Sequence, residues 1–171
     1  MSLFRRLRPT GLLIATIIVA ACGFQPLYGS SQGVLSGAVV EDLAAVRITA
    51  IPDRVGQIVR NDLLDRLNPF GEPTSPRFSL AVKLEEAKKG LAIQIDDTVT
   101  RFNLTLTANY FLTDAQTGAI LTAGSVRATA AYNVLRSDFA NVIAERDAQQ
   151  RAAREIADEL NTRLAVFFVG S

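Results

Sequence analysis

The sequence predicts an α+β domain in which a four-stranded, mostly antiparallel sheet carries two helices on one face, in the order β-α-β-β-β-α. Two kinds of pattern predict it. Apolar and polar residues alternate through stretches such as 77–85 and 101–112, as in strands with one buried and one wet face. Two other stretches repeat apolar residues every four positions, which is typical of helices that pack one face on a sheet.

The first strand and the first helix lie next to each other in the sequence. Residues 46–51 alternate and are β-branched, which predicts a strand. Pro52 breaks this strand, and Asp53 is predicted to cap a helix that continues to about Asn68. The helical stripe is formed by Val55, Val59, Leu63 and Leu67, with Ile58 widening it. The Asn68-Pro69 pair then ends the helix, and residues 70–76 are predicted as a loop.

Three strands follow as an antiparallel meander. The first is predicted from the alternation around Phe78 and Val82, with Lys88-Lys89-Gly90 as the turn that follows it. In the next strand the apolar positions change from odd numbers to even numbers, so a β-bulge or a break is predicted near residues 96–100. Residues 113–118 supply turn residues, and residues 119–134 are predicted as the last strand.

A long helix is predicted after the last strand. Ser137, with Asp138 beside it, is the expected N-cap. The buried stripe has a period of four and consists of Ala148, Ala152, Ile156, Leu160, Leu164 and Phe168. At 1.5 Å per residue, about thirty residues reach roughly 45 Å, which is long enough to cross the whole sheet.

The only cysteine, Cys22, is placed as a lipidation site. A basic segment and a short apolar run precede it, and Ala20 and Ala21 stand directly before it. This is the build of a bacterial export signal that ends in a lipobox. We therefore expect a signal peptide at 1–21, a lipidated tether at 22–40 and one domain at 41–171. The aromatic residues Phe24 and Tyr28 of the tether either dock on the domain or lie at lipid headgroups.

Composition excludes several functional classes. The chain of 171 residues has 18 basic and 17 acidic residues, and loss of residues 1–21 removes three arginines. A slightly acidic mature chain argues against a nucleic-acid binder. The sequence contains no histidine, so histidine-based catalytic triads and the usual zinc sites lack their parts. The adjacent carboxylates Glu85-Glu86 and Asp96-Asp97 point to opposite faces if they lie in strands, so neither pair forms an acid and base couple.

Two sets of residues could carry a binding function. The uncovered face of the third strand presents Asn103, Thr105, Thr107 and Asn109 beside Arg101. Such a row either reflects the β propensity of a wet face or suits a polar partner such as the lumen of a membrane barrel. Basic residues that could bind phosphates by charge-assisted hydrogen bonds are Lys83, Lys88, Lys89, Arg101, Arg127 and Arg136.

Two stretches carry a family resemblance. Residues 22–29 read Cys-Gly-Phe-Gln-Pro-Leu-Tyr-Gly, and residues 132–140 read Tyr-Asn-Val-Leu-Arg-Ser-Asp-Phe-Ala and continue into helical sequence at 144–148 and 151–158. The mature chain resembles the alphaproteobacterial form of the LptE family, the lipopolysaccharide-assembly lipoproteins. The first motif is fairly specific, whereas the second is more degenerate.

The resemblance implies a non-catalytic binding protein of the outer membrane that faces the periplasm. Members of this family plug the lipopolysaccharide translocation barrel (LptD), help it to assemble and contact lipopolysaccharide through basic residues. On this basis Lys88, Lys89, Arg101 and Arg127 are hypotheses for lipopolysaccharide contacts, and Asn103, Thr105, Thr107 and Asn109 for barrel contacts. No cofactor is expected beyond the lipid on Cys22, and no nucleic-acid partner.

Two alternatives compete with this interpretation. One is a generic envelope scaffold lipoprotein with a protein or peptidoglycan partner, and the other is a periplasmic enzyme on a lipid tether. A deep pocket with several convergent polar groups would favour the enzyme. A flat polar sheet face would favour the barrel plug.

Overall fold

The computed structural model describes residues 37–93 and 99–170. The expectations for the signal peptide, for Cys22, for the tether up to residue 36 and for Asp96-Asp97 lie outside these ranges. The elements along the chain are α1 (Gly37–Ala44), β1 (Val46–Ile48), α2 (Asp53–Leu67), β2 (Phe78–Ile93), β3 (Val99–Asp114), β4 (Ile120–Asn133) and α3 (Asp138–Val169).

The four strands form one sheet in the order β1-β2-β3-β4. Short β1 pairs parallel with the start of β2, where Val46 lies opposite Phe78. The pairs β2 with β3 and β3 with β4 are antiparallel. The predicted α+β class and the mostly antiparallel sheet are therefore confirmed.

The hydrophobic core lies between one face of this sheet and the helices. From the sheet it takes the fully buried side chains of Leu80, Leu104, Leu106 and Leu112, and from α3 those of Ile156, Leu160 and Leu164. Helix α3 packs along β3 and β4 and also contacts α2. The period-of-four stripes predicted for α2 and α3 form the buried or core-contacting sides of these helices. The described helices cover one face of the sheet, and no described helix lies on the other face.

The described chain contains a third helix that the sequence pattern did not predict. In α1 the side chains of Val39 and Leu43 are buried, and the helix packs against α3. Residues 37–40, which were expected in the tether, belong to this helix. Eight residues supply a single i, i+4 apolar pair, which is too little for a periodic signal.

The predicted turn at Lys88-Lys89-Gly90 is wrong. Strand β2 continues through these residues, and Lys88 lies opposite Leu104 while Lys89 lies opposite Asn103. Lysine and glycine are only weakly unfavourable in strands, and pairing with β3 outweighs that preference. The β-bulge or break predicted near residues 96–100 falls mainly on residues 94–98, outside the described ranges. Among the described residues, the register between β2 and β3 shifts earlier, between Gly90 and Ile93.

The entry to α2 also differs from the prediction. The N-cap position is Pro52, without a side-chain cap hydrogen bond, and Asp53 takes a positive φ of 68°. Strand β1 ends at Ile48 because Ile51 turns into the core, where it is 3 % exposed. There it meets Gly56, at which a Cβ atom would lie 2.7 Å from Ile51 Cγ2 and 2.9 Å from the Ile51 carbonyl oxygen. The predicted cap of α3 is confirmed, because Ser137 Oγ accepts from the Ala140 N–H at 3.4 Å.

The turn between β3 and β4 is held by one carboxylate. Asp114 Oδ1 accepts hydrogen bonds from the Thr117 N–H at 2.7 Å, the Thr117 hydroxyl at 2.9 Å and the Gln116 N–H at 2.9 Å. Gly118 completes the turn with a φ of 72°, in the left-handed region that glycine adopts without strain. The donors stabilise the ionised carboxylate.

We expect this turn to loosen in acid. Hydrogen bonds, first of all from the Thr117 amide, hold the pKa of Asp114 below its usual value of 3.8. A carboxyl whose folded pKa is depressed contributes stability above the unfolded pKa, and that contribution is lost as pH falls through the folded pKa. The Thr117 amide shift in NMR spectra should therefore titrate with a midpoint below 3.8, and this transition should be absent in Asp114→Asn. A midpoint at or above that value contradicts the assignment.

Candidate functional site

The face of the sheet opposite the helices carries the polar row of β3. Asn103, Thr105, Thr107 and Asn109 alternate with buried Leu104, Leu106 and Ala108, so they share the open face with Arg101. We call the surface formed by this row and its neighbours on β1, β2 and β4 the open face. All the members of the row are brought together on one central strand.

Cross-strand pairing extends the row in both directions. Reading from β2 through β3 to β4, the open face contains the rows Lys89-Asn103-Ala131, Ala87-Thr105-Thr129, Glu85-Thr107-Arg127 and Lys83-Asn109-Ser125. The hydroxyls of Thr105 and Thr129 lie 3.2 Å apart and form a hydrogen bond. The middle of the open face is therefore lined with small hydroxyl and amide side chains and bordered by longer charged ones.

Cations outnumber anions among the strand residues of the open face. The basic members are Arg47, Lys83, Lys89, Arg101 and Arg127, and the acidic member is Glu85. Lys83 Nζ lies 3.5 Å from Glu85 Oε1. The chain as a whole has a net charge of only +1, so the positive charge of the open face comes from where the residues lie. A cationic surface with many hydrogen-bonding groups fits phosphate-bearing ligands.

Arg47 is a member of the open face that the sequence reasoning missed. It is exposed between buried Val46 and Ile48 and lies opposite Ser79 of β2. The alternation of Val46-Arg47-Ile48 was the signal that could have placed it, because neighbouring strand residues point to opposite faces.

Lys88 lies on the other side of the sheet from Lys89. It forms an ion pair with Glu145 of α3 and lies 3.6 Å from Glu86. The hydrogen bond from Lys88 to Glu145 raises the pKa of the lysine, against a smaller effect of burial. Glu86 in turn accepts a hydrogen bond from Gln149 at 2.8 Å. Lys88 therefore ties β2 to α3 and does not join Lys89, Arg101 and Arg127.

The open face becomes apolar toward the turn between β3 and β4. Phe111 lies between Ala81 of β2 and Ala123 of β4, and its side chain is 45 % exposed. At the start of β4, Ile120 and Leu121 are also exposed. The open face is therefore apolar beside this turn, with Arg47 of β1 at the same end, and its other cations extend from Lys83 to Arg101 at the far end. This mixture suits an amphiphilic ligand or partner.

Metal and membrane-spanning features are absent from the parts of the chain that the structure covers. In residues 37–93 and 99–170 no group of three or more cysteine or acidic residues is arranged to hold a metal ion. The helices in those ranges are either too short or too polar to cross a bilayer.

Solved structures of the same fold come from several bacteria. A Caulobacter crescentus protein described as a lipoprotein is 26 % identical, with a TM-score of 0.65, and the match covers 77 % of this chain and 96 % of that chain. Rare lipoprotein B from Shewanella oneidensis is 14 % identical with a TM-score of 0.57, covering 73 % and 96 %. A minor lipoprotein from Acinetobacter baumannii is 14 % identical with a TM-score of 0.53, covering 71 % and 91 %.

The family itself is established by the sequence. A comparison with curated proteins gave no match. The family model described as "LptE: Lipopolysaccharide-assembly" matches residues 43–164, which include β1 to β4, α2 and most of α3. The chain therefore belongs to the LptE family of lipopolysaccharide-assembly proteins.

Proposed function

We propose that this protein is a non-catalytic, lipid-anchored subunit of the outer-membrane lipopolysaccharide translocon. In this role it plugs the translocation barrel (LptD), supports the assembly of that barrel and binds lipopolysaccharide on its way to the outer leaflet. The observation that carries the proposal is the open face, whose hydroxyl, amide and cationic side chains lie together on one side of the sheet. Membership of the family supports lipopolysaccharide assembly as the process in which this surface acts.

The contact with the barrel is proposed for the polar row of β3. The lumen of an outer-membrane barrel is polar because its apolar side faces lipid. Asn103, Thr105, Thr107 and Asn109 offer both donors and acceptors without charges that would have to be neutralised. Each of these residues is only partly exposed between its neighbouring strands, and Thr105 also shares a hydrogen bond with Thr129.

The contact with lipopolysaccharide is proposed for the cations that border this row. Lys89, Arg101 and Arg127 are exposed and occupy three different strands of the open face. Neither Lys89 nor Arg101 nor Arg127 has an ion-pair partner within the described residues. Their charges are thus available for the phosphates of lipopolysaccharide. Lys88 stays in the proposal as a positioning residue, since it fixes the adjoining part of β2 to α3 through Glu145.

The anchor is proposed at Cys22. In this proposal residues 1–21 are removed as a signal peptide, the thiol receives lipid, and the residues up to α1 form the tether. Two or more acyl chains give stable membrane binding, whereas a single chain does not. The similar lipoproteins from three bacteria support this arrangement. The domain then faces the periplasm from the outer membrane.

The lipopolysaccharide contact is tested by reversing charges on the open face. The double variant Lys89→Glu, Arg127→Glu should bind purified lipopolysaccharide at least about tenfold more weakly, because two charge-assisted contacts become repulsive. Arg154→Glu is the matched control, since Arg154 is equally exposed but lies on α3. Affinity is measured in detergent at constant salt. Equal affinities of the double variant and the wild type would exclude these cations.

The barrel contact needs a separate measurement. The wild-type chain, with its lipid anchor intact, should co-purify with a large β-barrel in stoichiometric amount. Thr105→Glu should reduce this yield severalfold, because a charge would be buried against the lumen without a partner. Thr74→Glu serves as the control, because Thr74 is exposed in the loop before β2. An unchanged yield for Thr105→Glu would remove the open face as the barrel contact.

A further inference from the structure

Strand β4 forms an open edge of the sheet. It is the terminal strand in the order β1-β2-β3-β4 and contains 14 residues. Its pairing with β3 is regular from Asn133, opposite Arg101, to Thr122, opposite Leu112. One side of this strand therefore presents a row of main-chain donors and acceptors that no strand of the described chain satisfies.

Beyond the register shift between Ile120 and Thr122 near its start, the edge lacks the usual protection against further pairing. Proteins blunt exposed edges with prolines, lysines, inward charges or bulges. Strand β4 contains no proline and no lysine, and Arg127 is its only charged residue. Toward the end of the strand, one side chain of α3 reaches its main chain, where Arg151 donates to the Ala131 carbonyl at 2.9 Å. The centre of the edge, around Val126, remains available for a further strand.

A groove runs beside this part of the edge. It has a volume of about 420 Å³ and is lined by Ser125, Val126 and Arg127 of β4 and by Glu155, Asp158, Glu159, Thr162 and Arg163 of α3. A groove between an edge strand and a helix is the geometry in which an extended peptide adds to a sheet. Main-chain hydrogen bonds then supply affinity, and alternate side chains supply specificity.

The helix wall of the groove is acidic. Asp158 is paired with Arg66 at 2.7 Å, and Glu159 is paired with Arg163 at 2.8 Å. Glu155 is exposed and has no ion-pair partner within the described residues. Side chains of an added strand that face α3 therefore meet an excess of negative charge, and basic side chains are the complement. Side chains of the added strand that point away from α3 lie beside Ser125, Arg127 and Thr129. Side chains with hydroxyl groups fit that side.

We infer that β4 accepts one more strand, an extended segment of a partner protein that carries basic side chains at alternate positions. The segment pairs with the edge of β4, and its basic side lies in the groove against Glu155. A second copy of this chain is a poorer occupant. Pairing of two β4 edges about their centres would bring two acidic walls together, and like charges destabilise such contacts. Ser125 and Arg127 border both this groove and the open face. The inference rests on the main-chain edge of β4 and on the acidic wall of α3, so it does not depend on the proposed function.

The inference is tested with synthetic peptides and the full chain. The probe is a peptide as long as segment 123–131 in which lysine and threonine alternate. Two matched peptides replace lysine by glutamate or carry N-methyl groups along the backbone. Fluorescence anisotropy measures binding, and hydrogen exchange locates the amides that become protected. We expect the lysine peptide to bind and to protect amides of β4, and we expect the other two peptides to bind at least about tenfold more weakly.

Charge variants of the protein identify the groove. Glu155→Lys should weaken binding of the lysine peptide roughly tenfold, because an attractive pair becomes a repulsive one. Asp65→Lys makes the same change at an exposed site on α2 and should leave binding unchanged. Failure of the lysine peptide to bind, equal binding of the N-methylated peptide, or equal effects of the two variants would each overturn the inference. Protection of β4 that rises with protein concentration alone would assign the edge to a second copy instead.

Discussion

The variant Leu160→Ala should lower the free energy of unfolding by about 3 kcal/mol, within the range of roughly 2–5 kcal/mol known for such core truncations. Leu160 is fully buried on α3, the helix that packs against β3, β4 and α2. Alanine removes three carbon atoms from this junction and leaves a cavity that neighbouring elements cannot close without moving. Urea denaturation followed by circular dichroism measures the loss.

A surface position on the same helix provides the control for this prediction. Val166 is 67 % exposed, so Val166→Ala should change the free energy of unfolding by no more than about 0.5 kcal/mol. The denaturant dependence of both variants should match that of the wild type, since both unfold the same domain. If the two variants were equally stable, α3 would not be part of the cooperative core, and the arrangement of the helix layer would be wrong.

The long elements were predictable because their patterns extend over many residues. Helix α3 is 32 residues long, and each of its predicted apolar positions, from Ala148 to Phe168, is buried. Short or local features were not predictable. Helix α1 supplies too few apolar positions, and Ile51, predicted as the last residue of the first strand, lies beyond the end of β1 and is buried beside Gly56. Ile51 is β-branched like the strand residues before it, so the sequence pattern could not show that it lies outside β1.

The composition of the open face was predictable, but the assignment of its cations was not. Alternation alone places Asn103 and Thr105 on one side of β3. Lys88 and Lys89 are adjacent, and a shift of one residue moves a side chain to the opposite face. Because a turn was predicted at Lys88 and Lys89, strand alternation was not applied to them, and they were not assigned to opposite faces of the sheet. Cross-strand neighbours such as Thr129 beside Thr105 could be predicted only from the register of the strands. That register depends on the two connections of the meander.

The variant Cys22→Ser should release the protein from the membrane almost completely. Serine keeps the approximate size of the side chain but removes the thiol to which the lipid is proposed to attach. Each buried methylene of an acyl chain contributes about 0.8 kcal/mol to membrane binding. Loss of the chains therefore removes a favourable binding free energy on the order of tens of kcal/mol. Fractionation should move the protein from the outer-membrane pellet to another fraction.

A substitution elsewhere in the expected tether distinguishes loss of the lipid anchor from a general effect of mutating the N-terminal segment. Gly33→Ser changes a residue of the expected tether to the same side chain and should leave the protein in the outer-membrane pellet. Mass spectrometry of the mature N-terminal peptide should find acylated Cys22 in this control and in the wild type. Retention of Cys22→Ser in the pellet after an alkaline wash would show that contacts of the folded domain, and not acyl chains, hold the protein at the membrane. The open face and the edge of β4 would then be the surfaces to test for that attachment.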